Sequence, residues 1–180
     1  MIAAVKIAKE KGCVLHIVSD ANTFFIEAIL ESYKQTSFFT EIHTNPARFD
    51  ETGRLLIERY HNNHKREAKY LYEGHEKLVS IHDCVKCNVN ICKGKILRNL
   101  REKYPQKKII YIGDGSGDYC AATELTEEEF LLVRVGEDLK NGFGLEKVIE
   151  KKQGVKANIQ KWNDAKQVLQ IFEKILSVQN

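Results

Sequence analysis

The feature that most constrains this chain is an apolar strand running directly into a glycine-rich acidic loop. Lys108 to Ile112 (KIIYI) is apolar enough for the interior of a sheet, and Gly113 to Asp118 (GDGSGD) follows it at once. A short apolar run bounded by glycine is typical of a buried strand. Glycines allow tight turns and close approach of the backbone to a ligand. We therefore expect Asp114 and Asp118 at the end of this strand.

Strands alternate with helices along the rest of the chain. Cys13 to Val18 and Phe130 to Val135 are apolar runs of strand length. Their alternation with helical patterns predicts an α/β fold with a mainly parallel sheet. The length favours a single domain over residues 1–180. Helical spacing of apolar residues occurs in four segments, which are Ile2 to Ala8, Phe24 to Tyr33, Ile96 to Tyr104 and Trp162 to Leu176.

The pattern changes between Phe38 and Ser80. Phe39 to His43 and Arg54 to Tyr60 have strand character, and the turn-forming run Asp50 to Gly53 lies between them. This order predicts a β-hairpin, or flap. Asn62 to Ser80 is charged and histidine-rich with little periodicity, which indicates a surface insertion that is partly helical or mobile.

Polar residues follow the strand that ends at Val18. Ser19 to Asn22 (SDAN) provides a hydroxyl and backbone N–H groups, which at a helix N-terminus can bind an anion. The same residues can simply cap the helix. Lys93 begins a predicted helix, where its positive charge opposes the helix dipole. We infer that a phosphate or carboxylates hold it there, the alternative being a solvated lysine. Lys95 should point elsewhere on the helix.

Asp114 and Asp118 suit a hard divalent cation. Two nearby carboxylates without an adjacent Lys or Arg are ligands that Mg²⁺ prefers. The alternative is an ordinary Asp–Gly turn between strand and helix, which holds no metal.

Composition narrows the class of partner. Hydrophobic residues make up 43%, charged residues 29%, and the net charge is +3, which is ordinary for a globular protein. Basic residues are dispersed, whereas nucleic-acid binders cluster them. No stretch is apolar enough to span a bilayer. Five cysteines without a secretory signal indicate a reducing compartment. We expect a cytoplasmic protein with a small-molecule partner, and neither nucleic acid nor membrane.

Together these motifs resemble the haloacid dehalogenase (HAD) superfamily of phosphatases. Within it, the chain is similar to the phosphoethanolamine/phosphocholine and pyridoxal-phosphate phosphatase family. The resemblance spans nearly the whole chain apart from the charged insertion. The motifs that carry it are SDANT at 19–23, TNP at 44–46, GRL at 53–55, Cys84-x-x-Cys87, Asn90-x-Cys92-Lys93 and GDGSGDYC at 113–120.

The resemblance implies a HAD-like Rossmannoid three-layer fold and Mg²⁺-dependent hydrolysis of small phosphate esters through an aspartyl-phosphate. It implies that Ser19 and the backbone around Asp20 bind the phosphoryl oxygens and that Lys93 neutralises the phosphate. Asp114 would ligate Mg²⁺, and Asp118 would be a second ligand or would orient Lys93 and the metal's waters. Phosphocholine, phosphoethanolamine, pyridoxal phosphate, pyrophosphate and thiamine monophosphate are the candidate substrates.

One part of the family pattern is absent from these 180 residues. Family members open with a strand that ends in Asp-x-Asp, which supplies the nucleophile and the general acid and base. The aspartates here stand at 20, 50, 83, 114, 118, 138 and 164. We therefore expect a core that lacks its first strand and most of the helical cap, in an N-terminally truncated chain that is inactive by itself. The alternative is a non-catalytic module that binds phosphate and Mg²⁺.

A cluster of cysteines precedes Lys93. Cys84, Cys87 and Cys92, with His82 just before them, supply four ligands of the kinds that zinc accepts. The spacing lacks the second separated pair of a strong zinc motif, so reduced thiols that hold no metal are the alternative.

Overall fold

The computed structural model describes residues 1–61, 69–72, 75–78, 82, 84–87, 90–136 and 144–177. The chain forms two compact units, one of Met1–Leu15 with Gly94–Asn180 and the other of His16–Lys93. Within the described ranges, no helix is both long and apolar enough to cross a membrane. In chain order the elements are α1 (Ile2–Glu10), β1 (Leu15–Asn22), α2 (Thr23–Ser32), β2 (Phe39–Asn45), β3 (Ala47–Phe49), β4 (Leu55–Ile57), β5 (Lys69–Tyr72), β6 (His75–Leu78), α3 (Lys93–Lys103), β7 (Ile110–Gly113), α4 (Tyr119–Ala122), β8 (Phe130–Arg134), α5 (Gly144–Lys152), β9 (Asn158–Trp162) and α6 (Ala165–Ser177).

A three-stranded parallel sheet forms the centre of the first unit. β7 pairs with β8, and β8 pairs with β9. Successive side chains on a strand point to opposite faces, and both Leu131 and Leu132 of β8 are fully buried. The sheet is therefore covered on both faces, as parallel sheets generally are.

Two apolar clusters fill the two faces of this sheet. One packs α3, α4 and α5 against the side of Leu131, and the other packs α1 and α6 against the side of Leu132. The resulting helix–sheet–helix layering confirms the predicted α/β fold with a mainly parallel sheet. The buried helical residues that contribute are Leu97, Tyr119, Ala121, Ala122 and Leu145 to the first cluster, and Ala4, Ala8, Val168, Phe172, Ile175 and Leu176 to the second.

The second unit is built from three strand pairs and α2. β1 pairs with β2, β3 with β4, and β5 with β6. β3 and β4 are antiparallel, with Arg48 opposite Leu56. The predicted hairpin is thus confirmed, but the strand predicted as its first half is wrong. Phe39–Asn45 pairs with β1 instead, and the hairpin begins at Ala47.

Further elements differ from the sequence expectation. β1 runs on through Asn22, so Ser19 to Asn22 is the end of a strand and not a loop. Asn22 keeps extended backbone angles (φ −147°, ψ 165°) and caps α2 by accepting the N–H of Phe25. Trp162 ends β9 and does not lie on the last helix, which begins at Ala165. The sequence patterns also failed to predict α5 and β9.

The charged segment predicted as an insertion lies partly outside the described residues. Residues 62–68, 73–74 and 79–80 are not among them. The rest of the segment includes β5 and β6, which pair as an antiparallel hairpin. Its role as an insertion stays a prediction.

Candidate functional site

Lys93 is the first residue of α3 and is buried, with 8% of its surface exposed. Its Nζ lies 3.2 Å from Oδ2 of Asp20. Burial removes hydration from the ammonium group, and the helix N-terminus adds a positive potential, so both effects oppose the charge. Lys95 of the same helix is exposed, as its spacing predicts. A lysine in the position of Lys93 is therefore compatible with the fold only where anionic groups compensate it.

The backbone that follows Ser19 is fixed by the side chain of Asn45. Nδ2 of Asn45 donates to the carbonyl oxygens of Asp20 (2.9 Å) and Ala21 (2.8 Å). Its Oδ1 accepts the N–H of Tyr60 at 3.1 Å. The Ser19 hydroxyl oxygen accepts the N–H of Ala21 at 3.2 Å. Asn45 thus connects β2, the strand end at Asp20 and the segment after the hairpin.

Ser19 does not lie at the N-terminus of α2, where the sequence placed it. Three residues separate Ser19 from the first residue of α2, and Asn22 occupies the cap position of that helix. The reason is that β1 stays extended to Asn22. The Ser19 hydroxyl therefore lies at the carboxyl end of a strand, where parallel α/β sheets bind their ligands.

The loop after β7 is organised around Asp118, which is only 5% exposed. Oδ2 of Asp118 accepts the backbone N–H groups of Asp114 (3.1 Å) and Gly115 (3.0 Å). Oδ1 accepts the hydroxyl of Tyr111 at 2.7 Å. The carboxylate of Asp118 therefore holds the backbone of the loop in place and also adds a negative charge to it.

Asp114 differs from Asp118 in its exposure. Its side chain is 57% exposed, and Nη1 of Arg134 lies 3.9 Å from its Oδ2. Its backbone carbonyl accepts the N–H of Leu145. The loop thus holds the backbone of Asp114 while leaving its carboxylate open to solvent. An exposed carboxylate on a fixed backbone is suited to bind a hard cation.

Gly113 ends β7 where the loop packs most closely. A Cβ atom at this position would lie 2.9 Å from Cβ of Asp118 and 2.9 Å from Cδ2 of Leu145. Both distances are shorter than van der Waals contact. Positive φ angles among the described glycines occur elsewhere, at Gly12, Gly53 and Gly154. The glycine is therefore required by close approach and not by a left-handed turn.

The predicted site residues fall into two groups. Ser19, Asp20 and Lys93 belong to the second unit, and Asp114 and Asp118 belong to the first. The structure brings Lys93 to Asp20, and Asp118 to the backbone of Asp114. That the two groups act on one ligand stays a prediction.

The three cysteines predicted as zinc ligands lie together in the second unit. The sulfur atoms of Cys84, Cys87 and Cys92 lie within 4.8 Å of one another. His82 places a ring nitrogen 3.7 Å from the sulfur of Cys87.

The structure shows a further group of possible metal ligands that no sequence pattern predicted. His16 of β1 and Glu41 and His43 of β2 place possible ligand atoms within 4.8 Å of one another. Nδ1 of His43 also lies 2.9 Å from the hydroxyl of Tyr60. Burial and the charge of Glu41 raise the pKa of Tyr60 above its ordinary value. No sequence motif joins residues 25 or more positions apart, and only the pairing of β1 with β2 would have suggested the group.

Comparison with known proteins places this geometry in context. The model of a family described as Putative Phosphatase matches residues 1–176. Inorganic pyrophosphatase 2 of Arabidopsis thaliana is 36% identical over 181 residues, which cover 98% of this chain and 58% of that protein. The Thiamine phosphate phosphatase-like protein of Arabidopsis thaliana is 35% identical over 181 residues, covering 98% of this chain and 66% of that protein.

Animal proteins match as well. Pyridoxal phosphate phosphatase PHOSPHO2 of Mus musculus is 28% identical over 167 residues, which cover 90% of this chain and 61% of that protein. The chain therefore spans between 58% and 66% of the length of these three relatives. No solved structure matches the chain at a significant level.

Proposed function

From the premise that this chain belongs to the Putative Phosphatase family, which supports the HAD-superfamily resemblance, we propose that it forms the phosphate- and metal-binding part of a Mg²⁺-dependent phosphatase. The observation that carries the proposal is the buried ammonium group of Lys93 beside Asp20. A buried cation at the start of a helix attracts a dianionic phosphate strongly, because low local polarity strengthens the interaction.

The second unit would hold the phosphoryl group. Ser19 would donate its hydroxyl hydrogen to a phosphoryl oxygen, and the backbone near Asp20 would contribute further contacts. Lys93 would neutralise charge on the phosphate. Phosphoryl transfer depends chiefly on positioning and on stabilising the charge spread over the equatorial oxygens. A fixed strand end and a buried lysine supply both functions.

The first unit would hold the metal. The carboxylate of Asp114 is exposed and its backbone is fixed, which fits a direct ligand of Mg²⁺. The contact with Arg134 does not exclude metal binding, because an ion pair between two partly exposed groups 3.9 Å apart is weak. Asp118 would act mainly by positioning Asp114, with one oxygen directed to Tyr111 and the other to two amides. When bound, Mg²⁺ would neutralise developing charge on the phosphoryl oxygens.

The substrate class follows from what the relatives' names share. Pyrophosphate, thiamine phosphate and pyridoxal phosphate each present a phosphate group on a small molecule. We propose a small phosphorylated metabolite as the partner, with phosphocholine and phosphoethanolamine among the candidates. A cytoplasmic location is part of the same proposal.

An aspartyl-phosphate mechanism needs an attacking carboxylate, and these 180 residues contain no Asp-x-Asp pair. We therefore propose that the 180-residue chain binds phosphate without turning it over. The absence of this pair also favours a second function, a module that binds phosphate and Mg²⁺ for regulation. Cooperative thermal unfolding of the 180-residue chain, with phosphate binding, is the result that this second function predicts.

Calorimetry of inorganic phosphate binding to the purified 180-residue chain, with Mg²⁺ present, tests the proposal. Lys93→Met should weaken phosphate binding by about 10- to 150-fold, the range expected for losing a hydrogen bond to a charged group. Lys95→Met is the matched control on the same helix and should leave the affinity unchanged. Equal affinities for the two variants would remove the support for the site.

The metal and the turnover are tested separately. Asp114→Asn should abolish Mg²⁺ binding measured by calorimetry, whereas Glu173→Gln, an exposed charge change on α6, should not. Release of phosphate from p-nitrophenyl phosphate by the 180-residue chain, dependent on both Mg²⁺ and Asp114, would contradict the expectation of no turnover.

A further inference from the structure

Three thiols meet just before α3, and an imidazole lies beside one of them. Cys84, Cys87 and Cys92 place their sulfur atoms within 4.8 Å of one another. Cys92 is buried, and Cys84 and Cys87 are half-buried. These three sulfurs come from nine consecutive residues of the chain. Thiolates are soft ligands, which bind Zn²⁺ more readily than Mg²⁺, so the cluster favours zinc.

His82 lies beside one of these sulfurs. It is 7% exposed, and its Nε2 and Nδ1 lie 3.7 Å and 3.9 Å from the sulfur of Cys87. Zinc–sulfur and zinc–nitrogen bonds of tetrahedral sites imply a sulfur–nitrogen separation of about 3.6 Å and a sulfur–sulfur separation of about 3.8 Å. The His82–Cys87 distance thus agrees with two ligands of one ion.

A neighbouring ring packs against His82. The rings of His61 and His82 meet edge to face with centroids 5.6 Å apart. Groups that pack on a ligating histidine fix the orientation of its ring and thereby tune the metal site. His61 can serve in this way.

We propose that Cys84, Cys87, Cys92 and His82 bind one Zn²⁺ ion that stabilises the segment leading into α3. Four protein ligands close the coordination sphere, which is typical of a structural zinc site and not of a catalytic one. Binding displaces one proton from each thiol, so zinc affinity falls as the pH is lowered. Because Cys92 directly precedes Lys93, the ion would hold the backbone from which Lys93 extends toward Asp20.

A cobalt titration tests the site directly. The purified 180-residue chain is reduced, stripped with chelator and titrated with Co²⁺, which reports on thiolate ligands through sulfur-to-cobalt charge-transfer absorption. We expect saturation at one equivalent, displacement by Zn²⁺ and a clearly weaker charge-transfer band in Cys87→Ser, which lacks one of the three thiolates. Cys13→Ser is the matched control, because Cys13 lies outside the cluster, and should keep the full band. No band in the wild-type chain, or equal bands in both variants, would overturn the proposal.

A second measurement separates metal binding from misfolding. Zinc should slow alkylation of Cys84, Cys87 and Cys92 by at least tenfold, read residue by residue by mass spectrometry, while Cys13 reacts at an unchanged rate. Protection of Cys13 to the same extent would mean that zinc acts on the whole fold, which contradicts the site. His82→Ala should keep the charge-transfer band but weaken Co²⁺ binding at least tenfold. An unchanged affinity would exclude His82 as a ligand. None of these readouts depends on phosphate binding, so failure here leaves the proposed function unaffected.

Discussion

Tyr111 and Asp118 are joined by a 2.7 Å hydrogen bond, in which the phenol hydroxyl donates to Oδ1 of the carboxylate. Tyr111 lies on β7, and Asp118 lies five residues beyond its end. The bond therefore ties the loop that carries Asp114 back to the sheet from which it emerges. Because the carboxylate is buried, this contact is worth more than an exposed one.

Tyr111→Phe should lower the free energy of unfolding by about 1–3 kcal/mol, because a buried charged acceptor loses a partner. Urea denaturation followed by circular dichroism measures the change. Tyr33→Phe is the control, since Tyr33 is 59% exposed, and it should stay within about 0.5 kcal/mol of the wild type. Equal effects of the two substitutions would show that the Tyr111 hydroxyl contributes nothing specific.

Asp118→Asn and Asp114→Asn should differ in what they cost. Asparagine has one acceptor oxygen in place of two. At position 118 it therefore cannot accept hydrogen bonds both from the Tyr111 hydroxyl and from the two backbone N–H groups, so we expect a loss of about 1.5–3 kcal/mol in stability. Asp114→Asn should change the stability by less than about 0.5 kcal/mol, because its carboxylate is exposed. By calorimetry, Asp114→Asn should abolish Mg²⁺ binding, and Asp118→Asn should weaken it. If Asp118→Asn leaves the urea midpoint unchanged, Asp118 does not position the loop.

Asn45→Ala should destabilise the second unit by about 2–4 kcal/mol, because two carbonyls and one amide lose their partner. It should also weaken phosphate binding, since the backbone after Ser19 is no longer fixed. Unfolding in urea and calorimetry with inorganic phosphate give the two values. Asn163→Ala replaces an exposed asparagine and is expected to change neither. A destabilised variant with wild-type phosphate affinity would separate Asn45 from the site.

Asp20→Asn should tighten phosphate binding about two- to fivefold, which corresponds to the modest strength of a partly exposed ion pair. Asp20 and phosphate compete for the ammonium group of Lys93, and the substitution removes one competitor. Calorimetry at low salt measures the gain, and the gain should shrink at high salt as screening increases. Weaker binding in Asp20→Asn would show instead that the Asp20 carboxylate helps to hold the phosphate site together.

The hairpin turn should depend on pH through Asp50. Hydrogen bonds from Thr52 and Arg54 lower the pKa of Asp50 from its ordinary 3.8 to about 2. Because the folded pKa lies below the unfolded one, the stabilisation is present above pH 3.8 and is lost as the pH falls through about 2. Amide chemical shifts of Thr52 and Arg54 should titrate with a midpoint near 2, and Asp50→Asn should abolish this titration. A midpoint at the ordinary value would mean that the carboxylate does not hold the turn.

Sequence periodicity predicted the elements that are long or strongly patterned. The apolar run before Gly113 became β7, and the spacing of Ile96 and Leu97 became the buried side of α3. Helical geometry also predicted that Lys95 points away from Lys93, since residues two positions apart on a helix do not share a face. These features depend on local spacing, which the sequence contains.

Pairing partners could not be predicted in the same way. The strand at Phe39–Asn45 has the right character, but its alternation does not say whether it pairs with β1 or folds back in the hairpin. Trp162 lies at a spacing that fits the following helix. Because β9 has only five residues, its own pattern was too short to show that Trp162 belongs to a strand. His16, Glu41 and His43 come together only because β1 pairs with β2, and no pattern of neighbouring residues predicts the group.

The packing at Gly113 has a consequence for the loop that follows it. A methyl group there would lie 2.9 Å from Cβ of Asp118 and 2.9 Å from Cδ2 of Leu145, so Gly113→Ala would force one of these side chains to shift. Because the carboxylate of Asp118 accepts the N–H groups of Asp114 and Gly115, a shift of Asp118 would be passed on to the backbone that carries Asp114. The hydrogen atom at Gly113 is thus part of what fixes the position of the Asp114 carboxylate.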